Sequence, residues 1–252
     1  MRQFSLSNKS GEVYRLNDLK WFFHNPGGLG FSRNMTFQKI GNNYEILQDG
    51  YNQEAVTGEI RFKSDSVSDA YHKYSAFARF IQDTPLVLHY RVTDREYLLD
   101  VIVSSVDKSE INVSSGMNVK ITIMPLSLWY QKIEQSASGT FISVDSDSAI
   151  ESPCHVAITP ASAITALTWS QTVDGVTAIT GGLSGMSSSA AAIHIRTDTN
   201  PYRIYRGTST NVYSKSDFSK KRFILLQKGV NVITFNVSGT ITLEGRVLYE
   251  TV

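Results

Sequence analysis

Carboxylates and histidines are the side chains of this sequence best suited to proton transfer or metal ligation, so their spacing decides which chemistry is open to it. Asp94, Glu96 and Asp100 lie close together in sequence, and a pair of carboxylates on either side of a glycosidic bond is what a glycoside hydrolase needs. These three, however, flank an expected hairpin turn, where charge normally faces solvent. The five histidines, His24, His72, His89, His155 and His194, include no two at metal-ligand spacing, and each reads as a surface or hydrogen-bonded structural histidine. Asn25-Pro26-Gly27-Gly28-Leu29-Gly30-Phe31 is glycine-rich but is not followed by the Lys-Ser/Thr pair of a phosphate-cradling loop. It reads as a long surface loop or an inter-subunit arm. Gly182-Leu183-Ser184-Gly185 has the wrong spacing for a nucleophile elbow, and Cys154, the sole cysteine, can support neither an intrachain disulfide nor a cysteine zinc cluster. The expectation is a protein with no catalytic residues, no metal and no cofactor: not an enzyme.

Charge points the same way. Lys and Arg number 24 against 23 Asp and Glu, a net charge of +1, so no overall field draws the chain to nucleic acid or to an anionic membrane. Lys215, Lys220, Lys221 and Arg222 cluster around Phe218 and could meet phosphate, but such clusters more often keep a strand edge from aggregating. The sequence opens without the apolar stretch of a signal peptide and nowhere has a run of apolar residues long enough to span a bilayer, so a product made in the cytoplasm is expected.

The elements that must carry these residues are mainly strands. Short runs alternating apolar and polar residues, rich in β-branched and aromatic types, cover 34–40, 44–47, 54–63, 86–93, 97–105 and 118–124. Gly41-Asn42-Asn43 supplies residues tolerant of positive φ between the first two runs, which predicts a hairpin. Residues 66–82 break the rhythm: Ala70, Tyr74, Phe77, Ala78 and Ile81 recur at helical spacing, Ser66 and Asp69 resemble a capping box, and Pro85 follows the end. Trp21-Phe22-Phe23 is an aromatic cluster that could be ordinary core or an anchor for a neighbouring subunit.

From Gln131 to Thr140 the pattern fades into polar and small residues, which predicts an interdomain linker and two domains, 1–134 and 135–252. Strand-like runs then resume at 154–159, 165–170, 176–180, 191–197, 202–205, 221–226, 231–236 and 240–249, the pattern of a sandwich or jelly roll. Between two of them, 181–189 is so rich in Gly and Ser that a mobile loop is expected.

An ordered series of segments in the N-terminal half resembles the distal tail proteins of siphophages, the lactococcal and streptococcal type in particular. It runs Gly28-Leu29-Gly30-Phe31, Gly58-Glu59-Ile60-Arg61-Phe62, the helix from Tyr71 to Ile81, Leu86-Val87-Leu88-His89-Tyr90, Tyr97-Leu98-Leu99-Asp100-Val101, Lys108-Ser109-Glu110 and Met124-Pro125-Leu126-Ser127-Leu128-Trp129-Tyr130. In the C-terminal half, Ile193-His194-Ile195-Arg196-Thr197-Asp198-Thr199 and the segment from Leu226 to Phe235 are similar to the galectin-like sandwich of that family. The resemblance implies a mainly β chain: an N-terminal sandwich or barrel-like ring-forming (belt) domain with one helix and an extended hairpin, then a galectin-like β-sandwich. It further implies a homo-hexameric ring in the virion tail, a hub joining the major tail protein to the tail-tip (tail-associated) protein and to baseplate or receptor-binding proteins. Ring closure needs heterologous contacts, for which Trp21, Phe22, Phe23, Leu29, Phe31, Asn42 and Asn43 are the candidates. The alternative is a carbohydrate-binding module or adhesin, with Trp169, Tyr202, Tyr205 and Tyr213 as stacking platforms.

Overall fold

The computed structural model describes residues 3–17, 21–40, 43–62, 64–110, 116–217, 219, 223–250 and 252. Two compact units divide the chain, Met1–Tyr130 with Tyr249–Val252, and Gln131–Leu248.

In the first unit the strands are β1 (Gln3–Ser7), β2 (Val13–Arg15), β3 (Trp21–Gly27), β4 (Phe31–Ile40), β5 (Asn43–Gln53), β6 (Val56–Phe62), β7 (Leu86–Val92), β8 (Arg95–Lys108) and β9 (Met117–Pro125), with the helix α1 (Val67–Phe80) after β6. Seven of them form one antiparallel run in the order β2-β1-β7-β8-β9-β6-β3. The run curls on itself, because Phe4 of β1 meets Phe23 of β3 edge-on at 5.2 Å and stacks on Tyr90 of β7 at 4.7 Å. Strict alternation places Val119, Ile121 and Ile123 of β9, and Leu86 and Leu88 of β7, on the enclosed face.

Helix α1 covers part of that core. Its first turn is capped by the Ser66 side chain, which accepts from the Asp69 backbone N–H at 3.1 Å, while the Asp69 carboxylate pairs with Lys73 at 2.6 Å. Ala70 and Phe77 are buried as their spacing predicts, and Phe80, outside the expected stripe, is buried with them. Phe77 lies 5.1 Å from Tyr14 and 6.0 Å from Phe62. Burial of one such ring contributes roughly 1.5–3 kcal/mol.

The glycine-rich segment is not a long surface loop. β3 runs through Gly27, and Gly28, at φ +75°, carries the chain across the Ala55 carbonyl so closely that an added Cβ would overlap that oxygen. The Gln53 side-chain amide then donates to the Gly30 carbonyl. Gly28→Ala combines left-handed backbone strain with a backbone overlap, and we expect it to destabilise the first unit by about 2–5 kcal/mol. The denaturant midpoint of the purified variant measures this; an unchanged midpoint would show that the crossing has slack.

The chain passes between the units inside a strand, β10 (Trp129–Ser146), and this corrects the expected linker at Gln131–Thr140. The polar and small residues there alternate along a strand whose inward positions, Ile133 and Ala137, pack on the second core. Beyond it come β11 (Ser152–Pro160), β12 (Leu167–Val173), β13 (Val176–Leu183), β14 (Ile193–Arg196), β15 (Arg203–Arg206), β16 (Thr210–Asn211), β17 (Leu225–Leu226) and β18 (Gly229–Tyr249). The two runs read as separate strands at 231–236 and 240–249 are one strand, β18. Its residues 231–235 pair with β12, and its residues 239–245 pair with β11. At the handover Gly239 lies against the Thr159 carbonyl, where a side chain has no room. The pairing β16-β15-β14-β11-β18-β10 and the pairing β13-β12-β18 bury a shared core that includes Trp169, Ile195, Ile204, Phe235 and Leu243.

The expected mobile loop is also corrected. Gly181 to Leu183 finish β13, Met186 is buried, and Ser189 forms a two-way backbone bridge with Ile164. Gly181 has no Cβ because the Trp169 indole occupies that space.

Candidate functional site

The carboxylates that could have formed a hydrolase pair are engaged separately. Asp100 accepts from the Tyr130 hydroxyl at 2.7 Å, and Glu96 lies 3.1 Å from His89 Nδ1. Asp94 sits exposed in the β7–β8 turn, where the Thr93 hydroxyl at 2.9 Å holds its carboxyl below the usual range. Among the described residues no group of three or more His, Cys, Asp or Glu is placed to hold a metal ion. Burial pushes the Cys154 thiol up to about 12, so it behaves as a core residue.

Strand pairing makes one cluster that spacing could not reveal. Antiparallel register sets Ala157 opposite His194, His155 opposite Arg196, and His194 opposite Tyr205. The His155 and His194 rings therefore meet diagonally at 5.2 Å, with Nε2 of one 2.9 Å from Nδ1 of the other, and His194 stacks on Tyr205 at 4.5 Å with planes 12° apart. Glu244 on β18 lies 3.6 Å from His155. The signal missed in the sequence is thus one of register between residues 39 apart, not of local spacing.

Burial first, then the facing His155 and the charge of Arg196, lower the pKa of His194 below the ordinary 6.5. Below 6.5 the unfolded chain takes up a proton that folded His194 resists, so this group leaves stability intact above 6.5. Stability then falls as pH descends through the depressed folded value. We expect the melting temperature to drop as pH falls below 6.5, and His194→Gln to lose part of that drop. Identical pH profiles for the two proteins would remove His194 from the account.

The interface candidates separate into core and surface. Phe23 is a correction: it is 4% exposed, wedged between Phe4 and the bare backbone of Gly58, and is unavailable to a neighbour. Trp21 and Phe22 are paired through their backbones with Phe62 and Arg61 of β6. Leu29 is half-buried against the first core. Phe31 opens β4 and is exposed; Asn43 opens β5 opposite Ile40; Asn42 and Gly41 lie outside the described residues. So do Phe218 and Lys220 to Arg222 of the basic cluster, of which Lys215 is exposed.

Strands β4 and β5 pair only with each other, as a two-stranded arm. Five of its apolar side chains are exposed: Phe37 and Ile46 are directly opposed and each 53% exposed, Tyr44 is 68% exposed, and Phe31 and Met35 are exposed as well. The sequence reading found the hairpin but not this apolar surface, because alternation within a strand does not say which face is covered. A two-stranded ribbon is marginal in water by itself, and contiguous exposed apolar side chains mark surfaces that bind protein.

Of the four residues expected to be stacking platforms, Trp169 is core, 3% exposed under Gly181. Tyr202, Tyr205 and Tyr213 instead come together around a hollow beside β15.

A β-rich chain of two units, one of which extends an apolar two-stranded arm, defines a protein of the assembling, structural class. Residues 3–126 match the family model described as the distal tail protein, N-terminal domain, and the chain belongs to the distal tail protein family of siphophages, structural components of the virion tail. Solved structures agree in fold. A chain in the structure of the phage P2 baseplate in its activated conformation with Ca covers 100% of this chain and 100% of its own, at 15% identity and a TM-score of 0.64. The SPP1 Dit protein, called a paradigm of hub adsorption apparatus in Gram-positive infecting phages, covers 97% of this chain and 99% of its own, at 10% identity and a TM-score of 0.73. No curated protein matches the chain.

Proposed function

We propose that the chain is the hub of the tail tip: a closed ring of six copies that joins the major tail protein of the tube to the tail-tip protein and carries baseplate or receptor-binding proteins. The observation that carries this reading is the β4–β5 arm, whose outward Phe37, Tyr44 and Ile46 leave apolar surface in water unless a second chain covers it. A ring is the natural partner arrangement, since one arm docking on a different surface of the next copy is a heterologous contact that closes by rotation. The SPP1 relative is itself described as a hub, and the phage P2 relative comes from a baseplate, which supports the same placement here. The N-terminal unit serves as the ring-forming domain, and the second unit, outside the stretch matched by the family model, is the part able to face the host or the adhesion proteins.

Mass in solution tests it. Light scattering coupled to size exclusion should give a species near six times 28.0 kDa, either for the chain alone or once purified tube protein is added to template assembly. A chain that stays at 28.0 kDa under both conditions would sink the ring.

A further inference from the structure

The hollow beside β15 has a volume of ≈ 710 Å³, within the range of roughly 300–1,000 Å³ typical of ligand sites. Three tyrosines line it, and each ring is braced by another aromatic. His194 lies flat against Tyr205, Phe223 stacks on Tyr213 at 6.0 Å with planes 16° apart, and the same Phe223 meets Tyr202 edge-on at 5.0 Å. A braced ring loses little conformational entropy when a ligand settles on it. The C–H face of a sugar is a suitable occupant for such a surface, since it is apolar while its rim of hydroxyls needs partners. Those partners line the same hollow: the hydroxyls of Thr199, Thr208 and Ser209 and the amide of Asn211.

The charge of the lining narrows the ligand further. Among the described residues no carboxylate lines the hollow, whereas two arginines do. Arg196 is already held by Asp198 through two hydrogen bonds, at 2.9 and 2.6 Å. Arg203 is exposed and forms no ion pair with any acid among the described residues. An unpaired guanidinium beside stacking rings favours a negative group on the ligand, because its fork of N–H donors fits phosphate or carboxylate oxygens.

We propose that this hollow binds an anionic saccharide, with sugar rings on Tyr202 and Tyr205 and the phosphate or carboxylate of the sugar on Arg203. All of its lining lies between Arg196 and Tyr213, inside the second unit, so the site is complete in a single copy and does not depend on the ring.

The test is a printed panel of phosphate-substituted, uronic-acid-containing and neutral oligosaccharides probed with the full chain. Signal should be confined to the charged sugars, and the class that responds identifies whether phosphate or carboxylate is the recognised group. Arg203→Gln and Tyr202→Ala should each weaken that signal about tenfold or more. Both residues are exposed, so unchanged melting temperatures are expected to show that the variants remain folded. An empty panel, an equal response to neutral sugars, or full retention of binding by both variants would overturn the proposal.

Discussion

Arg206→Ala should unfold the second unit well below the melting temperature of the parent. Its side chain is 6% exposed and meets no carboxylate among the described contacts; Nη1 donates to the Ser187 carbonyl at 2.6 Å, and Nη2 donates to the carbonyls of Ile164 and Ser189 at 2.9 and 2.7 Å. One guanidinium thus ties together two stretches of chain whose own connection is the bridge between Ile164 and Ser189. Truncation removes three charge-assisted donors from carbonyls that water reaches poorly and leaves a void where the side chain lay. A cost of about 3–5 kcal/mol follows, and for a unit of this size that is a fall on the order of 10–20 °C by calorimetry. Arg206→Lys should recover only part of it, because an ammonium cannot span three carbonyls with a planar fork. Limited proteolysis should find the new cleavage sites between Ser184 and Ala192. A melting temperature equal to the parent's in the alanine variant would mean that the loop is held by Met186 and its neighbours alone.

Arg206 also shows where sequence reasoning stops. Nothing in the local string distinguishes it from Arg203 three residues earlier, and strand alternation puts one of the pair opposite Ile193 in the interior and leaves Arg196 facing the other outside. Local signals were legible wherever they were sufficient. The helical spacing of Ala70 and Phe77, the Ser66 cap and the alternation through β7, β8 and β9 each determine an element without reference to distant residues. The segment 131–140 misled because composition alone cannot tell a linker from a strand whose neighbour, β18, arrives about a hundred residues later. The same holds for β18, read as two strands at a glycine that marks close approach to Thr159, not a turn. Candidate sites depend even more on such pairing. The histidine pair exists only through the β11–β14 register, and the three tyrosines, though flagged individually, become one lining only when β15 and the turns beside it are folded.

The second large effect concerns the arm. Phe37→Ser with Ile46→Ser should abolish the proposed ring while leaving each copy folded. The two side chains are register partners on one face of a ribbon none of whose described residues belongs to either buried core, so polar replacements at these two exposed positions cost the isolated chain almost no packing. In an assembled ring the same pair would be buried once per contact. Each lost side chain forfeits roughly 1.5–3 kcal/mol at every interface, so the double variant loses several kcal/mol six times over in a hexamer. Since closure requires all contacts together, the outcome is a switch from ring to single copies and not a graded weakening. Light scattering should return 28.0 kDa where the parent gives the ring, with circular dichroism and melting temperature unchanged. A ring that persists in the variant would assign closure to another surface of the N-terminal unit, with the arm then left to reach the tube or the tip; a variant that fails to fold would show instead that Phe37 and Ile46 are needed within one copy, contrary to their exposure.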